Sequence, residues 1–284
     1  MGLVDRDDGR RIPDWLWEKI EPLLPERPSH ALGCHNPRVP DRSAMDAIFL
    51  VLRTGMQWNA LNLTGICTSS SAHRRFQEWE RAGVFAEIWR EGLVEYDERV
   101  GIDWSFLSCD GAMTKAPLGG PKTGPNPTDR AKKGAKRSVL TEGAGVPIGL
   151  AHDGANRNDH KLLKETLDSI PIERPEVTPK RPQGLCLDKA YDNQESREVV
   201  EGYGFTPHIR SRGEEIKDKL RIPGWRARRW VVEACHSWLN RHRGLLIRWS
   251  KKEENHLALL MLASGLIAFK KARAASLQAD LVAA

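Results

Sequence analysis

Gln183-Gly-Leu-Cys-Leu-Asp-Lys-Ala-Tyr-Asp192 is the stretch on which the fold turns. Small and apolar residues 184–187 run straight into Asp188, with Pro182 before them and a polar turn after. A short apolar run closed by turn signals reads as a buried strand, here with a carboxylate at its C-terminal end. In open α/β sheets that edge is where ligands and chemistry sit. Two more acids have related settings. Asp110 closes Phe106-Leu-Ser-Cys-Asp, a second strand-like run, and Glu233 follows Trp230-Val-Val on a predicted helix. Asp110, Asp188 and Glu233 are expected to converge.

The chain has 284 residues and a formal charge of +6, with a pI of about 9.1. That length suffices for one large domain or two modest ones, and the basic balance suits a polyanionic partner. Five cysteines, an odd number with no CxxC spacing, point to reduced thiols in a cytoplasmic protein. Cys34-His35 and Cys235-His236 do not have the spacing of a standard zinc site. The charged N-terminus is not a signal peptide. The apolar run 257–269 is too short to span a bilayer and reads as a buried helix.

Along the chain, residues 13–24 open with helix-start chemistry and place Trp15, Leu16, Ile20 and Leu23 on one face. A Pro- and Gly-rich loop covers 25–40. A second helix runs from 41 to about 53. A third begins in Thr68-Ser-Ser-Ser, rich in N-caps, carries His73, Arg74, Arg75, Phe76 and Trp79, and stops near Gly83. A fourth spans roughly 84–96. A helix, a turn and a helix with arginines near its start form either a DNA-reading unit or a plain bundle with a solvated basic face. Strand character appears at 103–110. Residues 115–137 then carry seven cations, Lys115, Lys122, Arg130, Lys132, Lys133, Lys136 and Arg137, against one acid, Asp129. This reads as a loop that cannot pack a core and that lies along phosphates or in solvent. A hairpin over 138–152, a helix to about 170, a connection over 171–182, a helix at 193–202, a strand at 205–209, a charged insert at 211–226 and helices at 227–242 and 254–273 complete the order. Early strands joined by loops and later ones joined by helices predict a mixed sheet with helices on both faces.

Phosphodiester cleavage at neutral pH needs an activated water and a stabilised leaving oxygen. Two metal ions about 3.5–4 Å apart supply both, and Mg2+ or Mn2+ favours hard oxygen ligands such as three carboxylates. Adjacent strands would set Asp110 beside Asp188, and a helix across the sheet would add Glu233. Each acid also has a plainer reading. Asp110 before Gly111 starts a turn, Asp188 is a loop acid, and Glu233 pairs with Arg229 one turn earlier. On a helical wheel Arg226, Arg229, His236, Ser237 and Asn240 share the side of Glu233, while Val231, Ala234, Cys235 and Trp238 form the packing side.

With those residues quoted, a family resemblance can be stated. The chain resembles the DDE transposases of bacterial insertion sequences, in the insertion-sequence-five group, from Trp15 to about Lys271. The parts come in the family's order: 15–25, 51–58, 77–85, Asp103-Trp-Ser105 before Asp110-Gly, 122–125, 134–138, Gly154-Ala-Asn-Arg-Asn-Asp159, 185–192, Arg229-Trp-Val-Val-Glu233 and Trp238-Leu-Asn240. The resemblance implies an α/β catalytic domain like ribonuclease H over 99–274, preceded by an all-α DNA-end-binding domain over 1–98 and followed by a tail over 275–284. It implies Asp110, Asp188 and Glu233 as the acidic triad holding two Mg2+ or Mn2+ ions, and cleavage and strand transfer at terminal inverted repeats. Arg229 and Glu233 match the family's motif, whereas Arg226 stands where the family has Tyr and Asn240 where it has Lys. The DNA contacts expected are His73, Arg74, Arg75, Lys122, Lys132, Lys133, Lys136, Arg137, Arg229 and Asn240, with a homodimer or higher oligomer assembling on duplex DNA.

Two alternatives stay open on sequence. One is an inactive or domesticated DNA-binding descendant of a transposase. The other, a haloacid-dehalogenase-type phosphatase, needs a nucleophilic Asp two residues before Asp110, where Ser108 stands.

Overall fold

A computed structural model describes residues 9–26, 38–209, 221 and 230–283. Residues 27–37 with Cys34-His35, the expected insert up to Arg226 except Arg221, and Arg229 lie outside the described residues.

The N-terminal part is helical, as the periodicity predicts. Helix α1 (Asp14–Ile20) continues into a 3-10 turn and buries Leu16, Trp17 and Ile20. Helix α2 (Asp41–Thr54) ends at Gly55, whose φ of 70° is left-handed and whose amide reaches Val51 O at 2.9 Å. A side chain at Gly55 would also press on the Arg243 backbone at 3.0 Å. Helix α3 (Ser69–Arg81) is capped by Thr68, which accepts from Ser71 N. Gly83 turns the chain into α4 (Val84–Arg99).

The sheet is mixed. Strand β1 (Leu107–Lys115) lies at its centre. On one side it pairs antiparallel with β3 (Lys133–Thr141), which pairs antiparallel with β4 (Pro147–Gly154). The two-residue β2 (Gly124–Pro125) adds to the start of β3. On its other side β1 pairs parallel with β5 (Gly184–Leu187), and β5 pairs parallel with β6 (Thr206–Ile209). This is the ribonuclease H-like arrangement the resemblance implied, three antiparallel strands followed by two parallel ones reached through helices. Helices α5 (Leu163–Asp168) and α6 (Gln194–Gly202) pack on one face. Helices α7 (Trp230–Asn240) and α8 (Glu253–Ala283) pack on the other.

Helix α8 buries residues on all sides between Ala258 and Ala272, as a helix wedged between two layers must. It touches β4 beneath it and packs along α4 above. Gly92 and Gly265 permit that approach: a Cβ on Gly92 would meet Gly265 O at 2.9 Å, and one on Gly265 would meet Ile88 at the same distance. Trp89 Nε1 crosses from α4 to Pro147 O at 2.9 Å. Among the described residues the main hydrophobic core accordingly runs from Ile12 to Ala272, with a smaller cluster of Ala47, Leu50, Val51, Leu61, Cys67 and Ala72 in the head. Among the described residues no helix is long and apolar enough to cross a membrane.

Two sequence expectations need correction. Strand β1 does not end at Asp110 but continues to Lys115, because β3 begins early enough to pair with 111–115. Asp110-Gly111 is therefore strand, not turn. The basic loop is also shorter and better packed than its charge suggests. Ala116 and Asn126 are buried, Asn126 N donates to Lys132 O and its Oδ1 accepts from Thr128, and residues 133–137 belong to β3. The buried Arg248 ties the loop down by donating to Pro121 O, Lys122 O, Ser250 O and Lys251 O.

Candidate active site

Parallel pairing of β1 with β5 aligns Leu107 with Leu185 and Ser108 with Cys186. Asp110 and Asp188 each stand two residues further on, just past the end of that ladder. Opposite partners in an antiparallel pair share a face, so Asp110 lies on the face of Val139, and Ala112 on that of Arg137. Arg137 reaches α7, so this is the face that α7 covers. Glu233 is exposed in the first turn of α7. One turn later the buried His236 lies against the main chain of Asp110, although its Nε2 completes no full hydrogen bond there.

Local contacts hold the two aspartates. Asp110 Oδ1 accepts from Gly111 N at 2.8 Å. Asp188 caps the following 3-10 turn by accepting from Ala190 N at 2.7 Å. The plainer capping role for Asp188 is thus real, and its second oxygen is not used by it. Among the described residues no three His, Cys, Asp or Glu side chains close on a point as a metal centre requires.

The surroundings are low in polarity. Burial pushes the Cys109 thiol up to about 12, and it raises the Tyr191 hydroxyl beside it well above its usual range. Burial, then the Arg137 charge, lowers His236 to about 3. The imidazole is therefore neutral, and its Nδ1 accepts from Arg137 Nε at 3.3 Å.

The expected DNA contacts divide. His73 and Arg74 are exposed on α3. Arg75 is instead buried, ion-paired with Asp41 and with Glu78 and stacked over Trp79, so it fastens the head. Lys132 and Lys133 are exposed. Lys122 pairs with Glu165 at 3.0 Å. Lys136 is buried beside Asp159 at 3.2 Å. Arg137 is 3 % exposed and donates to Asn240 Oδ1 at 2.8 Å, so these two expected phosphate ligands satisfy each other. On α7 the packing side is Val231, Val232, Cys235, His236 and Leu239. His236 thus belongs to the interior, contrary to the wheel.

Asp159 opens the 3-10 turn that leads into α5. Its Oδ1 is buried without a hydrogen bond and sits where a Cβ on Gly111 would lie, at 1.9 Å. The signal was present in Gly154-Ala-Asn-Arg-Asn-Asp159, but nothing in the sequence says that it folds beneath residue 111.

Residues 98–267 match the family described as "Transposase DDE domain". The chain belongs to the DDE transposase family. Residues 12–89 match a second family, "Putative transposase of IS4/5 family". The "Putative transposase for insertion sequence element IS402" of Burkholderia cepacia is 38% identical over 159 residues, 55% of this chain and 73% of that protein. The "Insertion element IS402 uncharacterized 16.2 kDa protein" of the same organism is 33% identical over 118 residues, 41% of this chain and 80% of that protein. Among solved structures, the catalytic domain of Mos1 mariner transposase aligns at 11% identity over 69% of this chain and 94% of that one, with a TM-score of 0.28. As a family member this transposase is a DDE-type enzyme of insertion sequences that acts on DNA. Neither alternative finds support, and Ser108 is fully buried, out of reach for a nucleophile.

Proposed function

We propose that this transposase cuts and joins the ends of its element with Asp110, Asp188 and Glu233 as the metal-holding acids. The observation that supports the reading is the register of β1 against β5, whose parallel ladder ends two residues before Asp110 on one strand and two before Asp188 on the other, with α7 packed across β1. DDE transposases use divalent metal ions, and the donor set suits hard ones: three carboxylates, with the nearby thiol and imidazole both buried. Mg2+ or Mn2+, two per site, would be held by these acids and would supply Lewis-acid polarisation of the phosphate and a more acidic bound water. The chain's own part is to orient. The Gly111 amide holds one oxygen of Asp110, and the Ala190 amide holds one of Asp188. Glu233 closes from the exposed face of α7.

Residues 1–98 serve in this reading as the end-binding part, with His73 and Arg74 facing the terminal repeats. Residues 99–274 carry the catalysis, and 275–284 form a tail. Lys132 and Lys133 add phosphate contacts, and Arg229 adds a further one. The protein works in the cytoplasm as a homodimer or higher oligomer on duplex DNA.

The test is Asp188→Asn, nearly isosteric, which removes one charge and one strong ligand oxygen. Gel shift on DNA carrying the element's ends should be retained while metal-dependent cleavage and strand transfer both vanish. Asp110→Asn and Glu233→Gln should behave alike, and pairs should cost little beyond singles. Cleavage near the wild-type rate in purified Asp188→Asn would sink the assignment.

A further inference from the structure

A cavity of about 440 Å³ opens where α2, the end of α7 and α8 meet, apart from the three acids. Four cations line it: Arg53 from α2, Arg241 just past α7, and Lys270 and Lys271 from α8. Among the described residues no carboxylate lines it. Lys271 Nζ stands over the Trp238 ring at 4.2 Å, and Glu142, which feels its charge, is buried and accepts from the Ala144 and Val146 amides. Arg53 and Arg241 have no ion-pair partner among the described residues.

His242 supplies the second, independent observation. It is 6 % exposed and lines the cavity, and its Nδ1 is buried without a hydrogen-bond partner. Burial, then the Arg53 and Lys270 charges, keeps the ring neutral, with the carbonyls of Trp238 and Leu239 opposing. The neutral imidazole thus adds a polar, uncharged wall beside the four cations.

We propose that this cavity is a phosphate site for the DNA backbone, gripping a strand that passes from the helical head to the catalytic face. The proposal rests on the transposase reading above. Its two walls come from the two functional parts, Arg53 from one and Arg241 from the other. Arg241 follows Glu233 by eight residues, about 12 Å along a helix axis. A guanidinium can hold a phosphodiester through two parallel hydrogen bonds, and the exposed Arg241 leaves the mouth open to a long polymer.

The test measures binding of the full chain to a random-sequence duplex by fluorescence anisotropy over a salt series. The variants are Arg241→Gln, Arg53→Gln/Arg241→Gln and the charge-keeping Arg53→Lys/Arg241→Lys. Each lost phosphate contact should flatten the log–log salt slope by about 0.9. The single variant is thus expected to lose about one contact and the double Gln variant about two, while the Lys pair stays near wild type. Arg241 is exposed, so its single substitution reports even where the double variant melts early. Absence of any salt-dependent binding by the wild type would overturn the DNA reading itself. Normal wild-type binding with an unchanged slope in Arg241→Gln and in a folded double variant would overturn only the cavity's assignment. Calorimetric titration with inorganic phosphate separates the sources. Phosphate binding lost in the double variant, with the duplex slope untouched, would make this a free-anion site and refute the backbone assignment.

Discussion

Arg137 donates to the side-chain oxygen of Asn240 at 2.8 Å, joining the central antiparallel strand to the helix that carries Glu233. The same guanidinium reaches His236 O and Nδ1, both at 3.3 Å. Arg137→Met should therefore loosen α7 and leave polar groups of His236 and Asn240 unmatched. A loss of roughly 2–4 kcal/mol is expected, read by urea unfolding. Cleavage should fall with it while the salt slope of DNA binding stays put. A flattened slope with unchanged stability would return Arg137 to the DNA surface.

The exposed lysines should behave in the opposite way. Lys132→Gln/Lys133→Gln is expected to weaken duplex binding and to flatten its salt slope by roughly two contacts, with a melting temperature close to wild type. Lys136→Gln should spare the slope and lower stability, because its ammonium is buried between Asp159 Oδ2 and Arg157 O. If Lys136 and Lys132 changed the slope equally, the buried pair would be misassigned.

Gly111 and Asp159 make a testable couple. Gly111→Ala drives a methyl into Asp159 Oδ1 and should cost ~1–3 kcal/mol by overpacking. In Asp159→Ala the obstructing carboxylate is gone, so the second substitution should add far less. The double-mutant cycle then shows a coupling well outside independent-site scatter. Additive losses would mean that the two do not touch.

Acid should destabilise the protein through its buried histidines. Burial first, then nearby Lys122 and Arg248, lowers His152 to about 4, with Asp153 opposing. Burial, then His152, Arg248 and Arg137, lowers His256 to about 3. His242 is lowered to about 4. In the unfolded chain each protonates near pH ~6.5, so below that the unfolded state binds more protons and stability falls as pH falls. Full stability holds above about pH 6.5, and each group removes up to ~1.4 kcal/mol per pH unit down to its folded value. Melting at pH 7 and pH 5.5 checks this. A flat profile would show that these imidazoles charge within the fold, and His256→Gln should make the wild-type slope shallower.

How much was legible follows from which forces act locally. Helices α2 to α4 announce themselves through Pro40-Asp41 at a helix start, the Thr68 cap and the Gly83 turn, whose chemistry acts within a few residues. Strand β5 was legible because apolar residues 184–187 end abruptly at Asp188. The second half of β1 was not. Gly111 to Lys115 (Gly-Ala-Met-Thr-Lys) opens on a glycine and carries no strand-forming pattern of its own until β3 pairs with it, a partner some 25 positions away. The inward turn of Lys136, Arg137 and Arg75 was hidden for the same reason. Their partners, Asp159, Asn240 and Asp41, lie far off in sequence, so charge alone suggested solvent or phosphate.

The crossing of α4 over α8 at Gly92 and Gly265 makes the connector at 100–106 the covalent link between surfaces that already recognise each other. A chain nicked there would behave as a split protein. Each fragment would carry an apolar helix face without its mate, neither would hold its shape alone, and mixing would restore both. In the intact molecule the same crossing makes the helical head and the sheet one mechanical body. A force applied at α3 would then travel through the helix pair to the sheet rather than being absorbed in a hinge.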